Sequence, residues 1–270
     1  MRPSLLFVYL ACFSAAVPAA AQTTVFFSDF ESPLPPHFNP GVAALTGVQG
    51  YQGLGPADSV FSGSFLRSPT ANPVTLTLTD LPPHRSINIH FLFAAIDSLD
   101  GTGTFPQGDF FRVNVDGVTI FRESFANALE SQIQSYNPPP GVQLARRVDL
   151  GFSGPGGFYT DSAYNLAADP AFSDIPHSAT TLSISFIIEG PGIQPLTDES
   201  WAFDNLRISI NTCAADFNAD GFVDFFDFLD FVDCFEGGSC PPNASPDIDH
   251  DGFVDFFDYI AFVDAFETGC

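Results

Sequence analysis

The sequence contains no lysine: its eight basic residues are all arginine, against 32 acidic ones, for a net charge of -24. A chain so acidic repels phosphate backbones and anionic lipid, which argues against nucleic acid and membrane surfaces as partners. Methionine and tryptophan occur once each. There is no H-E-x-x-H pair, no C-x-x-C and no G-x-S-x-G elbow, so the usual signatures of zinc hydrolysis, thiolate metal sites and nucleophilic hydrolysis are missing. His37, His84, His90 and His177 are scattered along the chain, and His84 and His177 read as loop or strand-cap residues.

The chain opens with Met1-Arg2, an apolar run from Leu5 to Phe13, and Ala19-Ala20-Ala21. That order reads as a secretory signal peptide over residues 1–21, cut after Ala21. No later segment is long and apolar enough to span a bilayer, so no membrane insertion is expected, and the mature protein is expected outside the cell or attached to its surface. Of five cysteines, Cys12 leaves with the leader; Cys213, Cys234, Cys240 and Cys270 all lie near the C-terminus. An even count in a small exported domain points to disulfides. Three connectivities are open; the favoured one joins Cys234 to Cys240 as a local clip and Cys213 to Cys270 as a clasp.

The strongest signal is an internal repeat. Asp216-Phe217-Asn218-Ala219-Asp220-Gly221-Phe222-Val223-Asp224-Phe225-Phe226-Asp227 recurs 31 residues later as Asp247-Ile248-Asp249-His250-Asp251-Gly252-Phe253-Val254-Asp255-Phe256-Phe257-Asp258. Oxygen side chains at positions one, three and five, glycine at six and a carboxylate at twelve are the ligand spacing of an EF-hand-type calcium loop. The expected ligands are Asp216, Asn218, Asp220, Asp224 and Asp227, with the Phe222 backbone carbonyl. In the second copy they are Asp247, Asp249, Asp251, Asp255 and Asp258, with the Phe253 carbonyl. Two calcium ions are therefore expected. Apolar residues at helical spacing predict a helix after each loop, over Phe225–Phe235 and Phe256–Phe266, with their faces packed together. No entering helix precedes either loop. From Cys213 to Cys270 there are fourteen acidic residues and no arginine, a density that opposes folding unless cations neutralise it.

This loop-then-helix pair, over residues 213–270, resembles the dockerin family, in particular the planctomycete-type variant ending in Gly-Cys, here Gly269-Cys270. The resemblance implies an EF-hand-like docking module with a cohesin-like protein domain as partner. Cellulosomal dockerins usually carry small polar residues beside the twelfth ligand. Here Phe225, Phe226, Phe256 and Phe257 stand there as candidate partner contacts, which implies a different recognition surface.

Residues 22–210 read as short strands separated by turns: Thr24–Phe30, Ser59–Leu66, Val74–Thr79, Ser86–Ala95, Phe110–Val115, Val118–Phe125, Thr180–Glu189 and Trp201–Ile210. A helical pattern is weakly present around Ser124–Gln134. The fold class is mainly β, a jelly-roll-like β-sandwich followed by the small helical calcium-loop domain. Asp29-Phe30-Glu31 and Trp201-Ala202-Phe203-Asp204-Asn205 make this part resemble jelly-roll carbohydrate-binding and lectin-like domains. In that group the first and last strands often share a calcium, which makes Glu31 and Asp204 candidate ligands of a further ion. Tyr51, Tyr136, Tyr159 and Tyr164 are candidate sugar platforms, whereas Trp201 reads as core. The favoured function is a secreted, non-catalytic, glycan-binding sandwich held in an extracellular assembly by its docking module. The alternatives are a polysaccharide-active hydrolase or lyase, for which Asp97, Asp100, Asp198 and Glu199 could supply acids, and a structural surface or adhesion protein.

Overall fold

The computed structural model describes residues 22–102, 108–153, 159–242, 244–249 and 251–268. The leader expected over 1–21, Gly269 and Cys270 lie outside them. The chain divides into two compact units, Gln22–Thr212 and a unit holding Cys213–Cys270.

The first unit is built from β1 (Gln22–Ser28), β2 (Phe38–Asn39), β3 (Ala44–Gly47), β4 (Ser64–Pro69), β5 (Val74–Leu78), β6 (Ser86–Asp97), β7 (Phe110–Val115), β8 (Val118–Ser124), β9 (Gln143–Val148), β10 (Asp161–Asn165), β11 (Ile175–Pro176), β12 (Leu182–Glu189) and β13 (Glu199–Asn211). They form two sheets. The larger runs β3-β4-β13-β6-β10-β9, with β1 also on β13 and β11 on β6; the smaller runs β2-β5-β12-β7-β8. Each of these pairings is antiparallel.

The smaller sheet shows why the sequence folds this way. Leu182, Ile184, Phe186 and Ile188 on β12 are buried, and the residues between them are half-exposed. Strand side chains alternate faces, so one face meets the core and the other meets water. Between the sheets lies a phenylalanine-rich core: the Phe93 and Phe111 rings stack at 4.2 Å, and Phe186 meets Phe203 at 4.9 Å. Trp201 is wholly buried there, its indole N–H donating to the Pro69 carbonyl at 3.2 Å. Full burial of each such side chain stabilises by about 1.5–3 kcal/mol. The Asp116-Gly117 hairpin has positive φ at both residues, 49° and 82°, as a type I′ turn requires.

β6 and β13 are buried on both faces, because Val48, Tyr51, Phe61 and Phe65 cover Leu92, Ala94, Ile96 and Ala202 in a second, smaller core. This cover explains several departures from the sequence reading. Residues 59–63 are part of the covering loop rather than strand. Tyr51 is buried beneath it, its hydroxyl donating to the Ala95 carbonyl at 3.1 Å. Tyr164 is in the main core, and Tyr136 is buried with its hydroxyl donating to Asp169 at 2.6 Å. None of these three rings is a surface platform; Tyr159 alone of the four keeps partial exposure. The region Ser124–Gln134 holds no helix. β3, β9 and β10 carry no strand signal in the sequence, because ALTG, QLARRV and DSAYN show no clean alternation. β10 is nonetheless buried: Asp161 accepts from the Asp97 and Leu150 amides at 2.9 and 2.8 Å, and the Ser162 hydroxyl donates to Asn127 at 2.6 Å.

The second unit contains α1 (Phe225–Phe235) and α2 (Phe256–Thr268). Their faces meet through Phe231 and Phe262, stacked at 4.0 Å, with Phe217 edge-on to both. Cys234 is bonded to Cys240. Cys213 is also disulfide-bonded, but its expected partner Cys270 lies outside the described residues.

Candidate functional site

In the first oxygen-rich loop three side chains fold the backbone around themselves. Asp216 accepts from the Gly221 amide at 3.1 Å, Asn218 from Asp220 at 3.0 Å, and Asp220 from Phe222 at 2.9 Å. Gly221 has φ 92° with open space where a Cβ would stand, so it is required by backbone conformation, not by crowding. Asp227 is fully buried; its two oxygens accept from Asn218 at 3.1 Å and Asp224 at 2.8 Å. Asp224 in turn accepts from Phe226 at 2.8 Å, completing a capping box at the start of α1. The ninth and twelfth loop positions are thus also the helix cap, which makes loop and helix one unit.

The second loop repeats these contacts. Asp247 accepts from Gly252, Asp249 from Asp251 and Asp251 from Phe253; Asp258 accepts from Ile248, Asp249 and Asp255. Oxygens of Asp247, Asp249 and Asp258 lie within 4.8 Å of one another, close enough to share a metal ion. In both loops the same atom is left over: Asp216 Oδ1 and Asp247 Oδ1 are buried with no hydrogen-bond partner. A buried carboxylate oxygen without a donor is costly, and two at equivalent positions are what a cation-binding loop leaves exposed to its ion. The donor set is all oxygen, which fits a hard cation such as calcium. His250, at the fourth position of this loop, lies outside the described residues. Burial, then Asp227, raises the Asp216 carboxyl pKa.

Around these loops stand bare aromatic rings. Phe225, Phe226, Phe256 and Phe257 are 64–66% exposed, and Phe222 and Phe253 are 71% and 72% exposed. Water-facing phenylalanine in such density is unusual and marks a surface that gains from being covered.

In the sandwich, Glu31 and Asp204 meet around one residue, Ser62. Its amide donates to Asp204 at 3.1 Å and its hydroxyl to Glu31 at 3.1 Å. A β-bulge in β13 makes this geometry. It falls between Asp204 and Arg207, with φ 52° at Asn205, where the edge of β13 passes from pairing β4 to pairing β1. Burial, then Glu31 and Asp29, push the Asp204 carboxyl up to about 7.

A cleft of about 250 Å³ opens on the outer face of the larger sheet, where the covering loop ends. Phe27, Asp58, His90, Asn165, Asn205 and Arg207 line it. Phe27 is 47% exposed, with the Arg207 guanidinium 5.3 Å from its ring centroid. Burial, then Arg207, lowers the His90 pKa, which favours the neutral ring, a form that both donates and accepts.

No protein-family model and no curated protein matches the chain. Solved structures do match, at low identity. The K1 cleaved adhesin domain of Lys-gingipain from Porphyromonas gingivalis is 13% identical over 70% of this chain and 99% of its own, with a TM-score of 0.34. A family 35 carbohydrate-binding module from Clostridium thermocellum is 12% identical over 69% and 99%, TM-score 0.29. The carbohydrate-binding module CBM36, solved with calcium and xylotriose, is 13% identical over 70% and 98%, TM-score 0.27. Three further matches are much longer chains, of which this one spans 18%, 13% and 19%. No helix among the described residues is long and apolar enough to cross a membrane.

Of the four acids that could serve hydrolysis, Asp97, Asp100 and Glu199 are buried and Asp198 is partly exposed. Asp97 and Glu199 are 0% exposed; Asp97 lies 3.7 Å from Arg67 and accepts from Ser153. His84 and His177, far apart in sequence, stack at 4.9 Å, and their facing nitrogens are 2.6 Å apart. The cleft residues escaped sequence reading. The available signal was Arg207 and His90 at outward positions inside otherwise apolar strands.

Proposed function

We propose that the C-terminal unit is a calcium-dependent, dockerin-like docking module that holds one ion in each loop and presents its phenylalanines to a cohesin-like domain. The observation that carries this reading is the pair of buried, unpartnered oxygens, Asp216 Oδ1 and Asp247 Oδ1, at equivalent positions of the two copies. The sequence supplies oxygen-bearing residues at the remaining ligand positions of both loops, Asp247, Asp249 and Asp258 lie close enough to share an ion, and the rings at 225, 226, 256 and 257 are exposed. The protein is exported through its leader and attached outside the cell by this unit. Calorimetric titration of the full chain with calcium tests it: Asp227→Asn and Asp258→Asn should each remove one bound ion from the wild-type count. A count unchanged by both substitutions would refute the loops as sites.

The sandwich is the ligand-carrying part and binds glycan in the cleft under Phe27. A sugar offers hydroxyls that donate and accept and an apolar ring face. Asp58, His90, Asn165, Asn205 and Arg207 supply the first kind of partner and Phe27 the second. On a glycan array, Phe27→Ala and Arg207→Ala should each lower the signal of any bound glycan at least tenfold. Signals that persist in both variants would move the binding site elsewhere.

A further inference from the structure

Three carboxylates meet inside the sandwich, in a place that neither the docking loops nor the Glu31–Asp204 pair uses. Asp100 follows β6, Asp109 precedes β7 and Glu199 opens β13; an oxygen of each lies within 4.8 Å of the others. Asp109 and Glu199 are fully buried and Asp100 is 9% exposed. Neutral donors hold the cluster in shape. The Asp100 amide donates to Asp109 Oδ2 at 2.6 Å, the Gln132 side-chain amide to Asp100 Oδ1 at 2.5 Å, and the Gln194 amide to Glu199 Oε2 at 2.8 Å. One atom lacks a donor: Asp109 Oδ1 is buried and no N–H or hydroxyl group donates to it.

The charges acting on Asp109 and Glu199 are all of one sign. Burial comes first, then for Asp109 its neighbour Asp100, and for Glu199 its neighbours Asp109, Asp100 and Asp198, all raising the carboxyl pKa, whereas a side-chain hydrogen bond with Glu199 lowers that of Asp109. Buried charges of one sign need either shared protons or a cation.

We infer that Asp100, Asp109 and Glu199 bind a hard divalent cation, calcium, that ties the described residues just after β6 and just before β7 to the start of β13. Oxygens up to 4.8 Å apart fit a shell of ligands at about 2.3–2.6 Å from the ion. The site is independent of the docking reading, since it lies in the other compact unit.

The test uses the full chain carrying Asp227→Asn and Asp258→Asn, with the docking loops disabled. Trp201, the sole tryptophan, is buried in the sandwich core and reports that unit's unfolding. Calcium at a hundredfold excess over its Kd should raise the Trp201-reported Tm by about 5 °C or more over the value in chelator. Adding Asp109→Asn should abolish this rise and bind one ion fewer by calorimetry. Its Tm in chelator should stay equal or rise, because one repelling charge is gone; a residue needed only for packing would lower it. Glu199→Gln provides the same comparison should Asp109→Asn fail to fold. No calcium-dependent rise in the loop-disabled chain overturns the inference in favour of a shared proton, and so does an ion count unaffected by Asp109→Asn or Glu199→Gln. Loss of helical calcium response in the wild type, with the Trp201 shift intact, would overturn the docking reading alone.

Discussion

Chelation of calcium is expected to abolish most of the helical circular dichroism of the full chain while the Trp201 fluorescence of the sandwich keeps its folded value. The C-terminal unit carries fourteen acidic residues and no basic one between Cys213 and Cys270. Its fully packed core is small: Phe217, Phe231, Cys234 and Phe262. The Cys234–Cys240 bond closes a separation of only six residues, so it restrains the unfolded chain less than a bond closing a long loop would. Against this stand two ions. Each, at a hundredfold excess over its Kd, stabilises by about 2.7 kcal/mol. Two such contributions rival the about 5 kcal/mol that a small domain has in total. Without them Asp216 Oδ1 and Asp247 Oδ1 stay buried and unsatisfied, each at a cost of about 1–3 kcal/mol or more. Hydrogen exchange over 225–235 and 256–268 would locate the loss. Unaltered helical signal in chelator would mean that the disulfides and aromatic packing suffice alone.

Two phenylalanine substitutions in the same unit should separate folding from docking. Phe231→Ala removes a ring stacked at 4.0 Å on Phe262 and is expected to cost about 3–5 kcal/mol, enough to unfold the unit even with calcium present. Phe226 and Phe257 are each 65% exposed. Their replacement by alanine should change stability by no more than about 0.5 kcal/mol. If these rings anchor a partner, losing both should weaken binding to a cohesin domain by about 30-fold, the loss of roughly 2 kcal/mol typical of an interface anchor. The near-identical copies present two equivalent faces, so either single substitution should leave binding largely intact. Surface plasmon resonance on the full chain measures all three. Unchanged affinity in the double variant would place the docking face away from these helices.

The loops and helices of the second unit were legible because their information is local. A twelve-residue ligand spacing, a glycine at its sixth position and an apolar repeat at helical period lie within about twenty consecutive residues, and α1 covers Phe225–Phe235, the span its pattern predicts. The clean strands β5, β7 and β12 were legible for the same reason, since each has one face on the core and a period of two.

Read alone, the sequence carries the composition, the charge, the paired loops with calcium-type ligand spacing and the mainly β character of residues 22–210. Tertiary structure alone decided the rest. It placed the cover over β6 and β13, which buries both faces of those strands, removes Tyr51 from the surface and hides alternation. It gathered Asp100, Asp109 and Glu199 from three chain segments and set Phe27, His90 and Arg207 around one cleft. The reason is physical. Antiparallel pairing joins residues as distant as Thr23 and Ile210, and no local pattern of polarity records which distant strands will become neighbours.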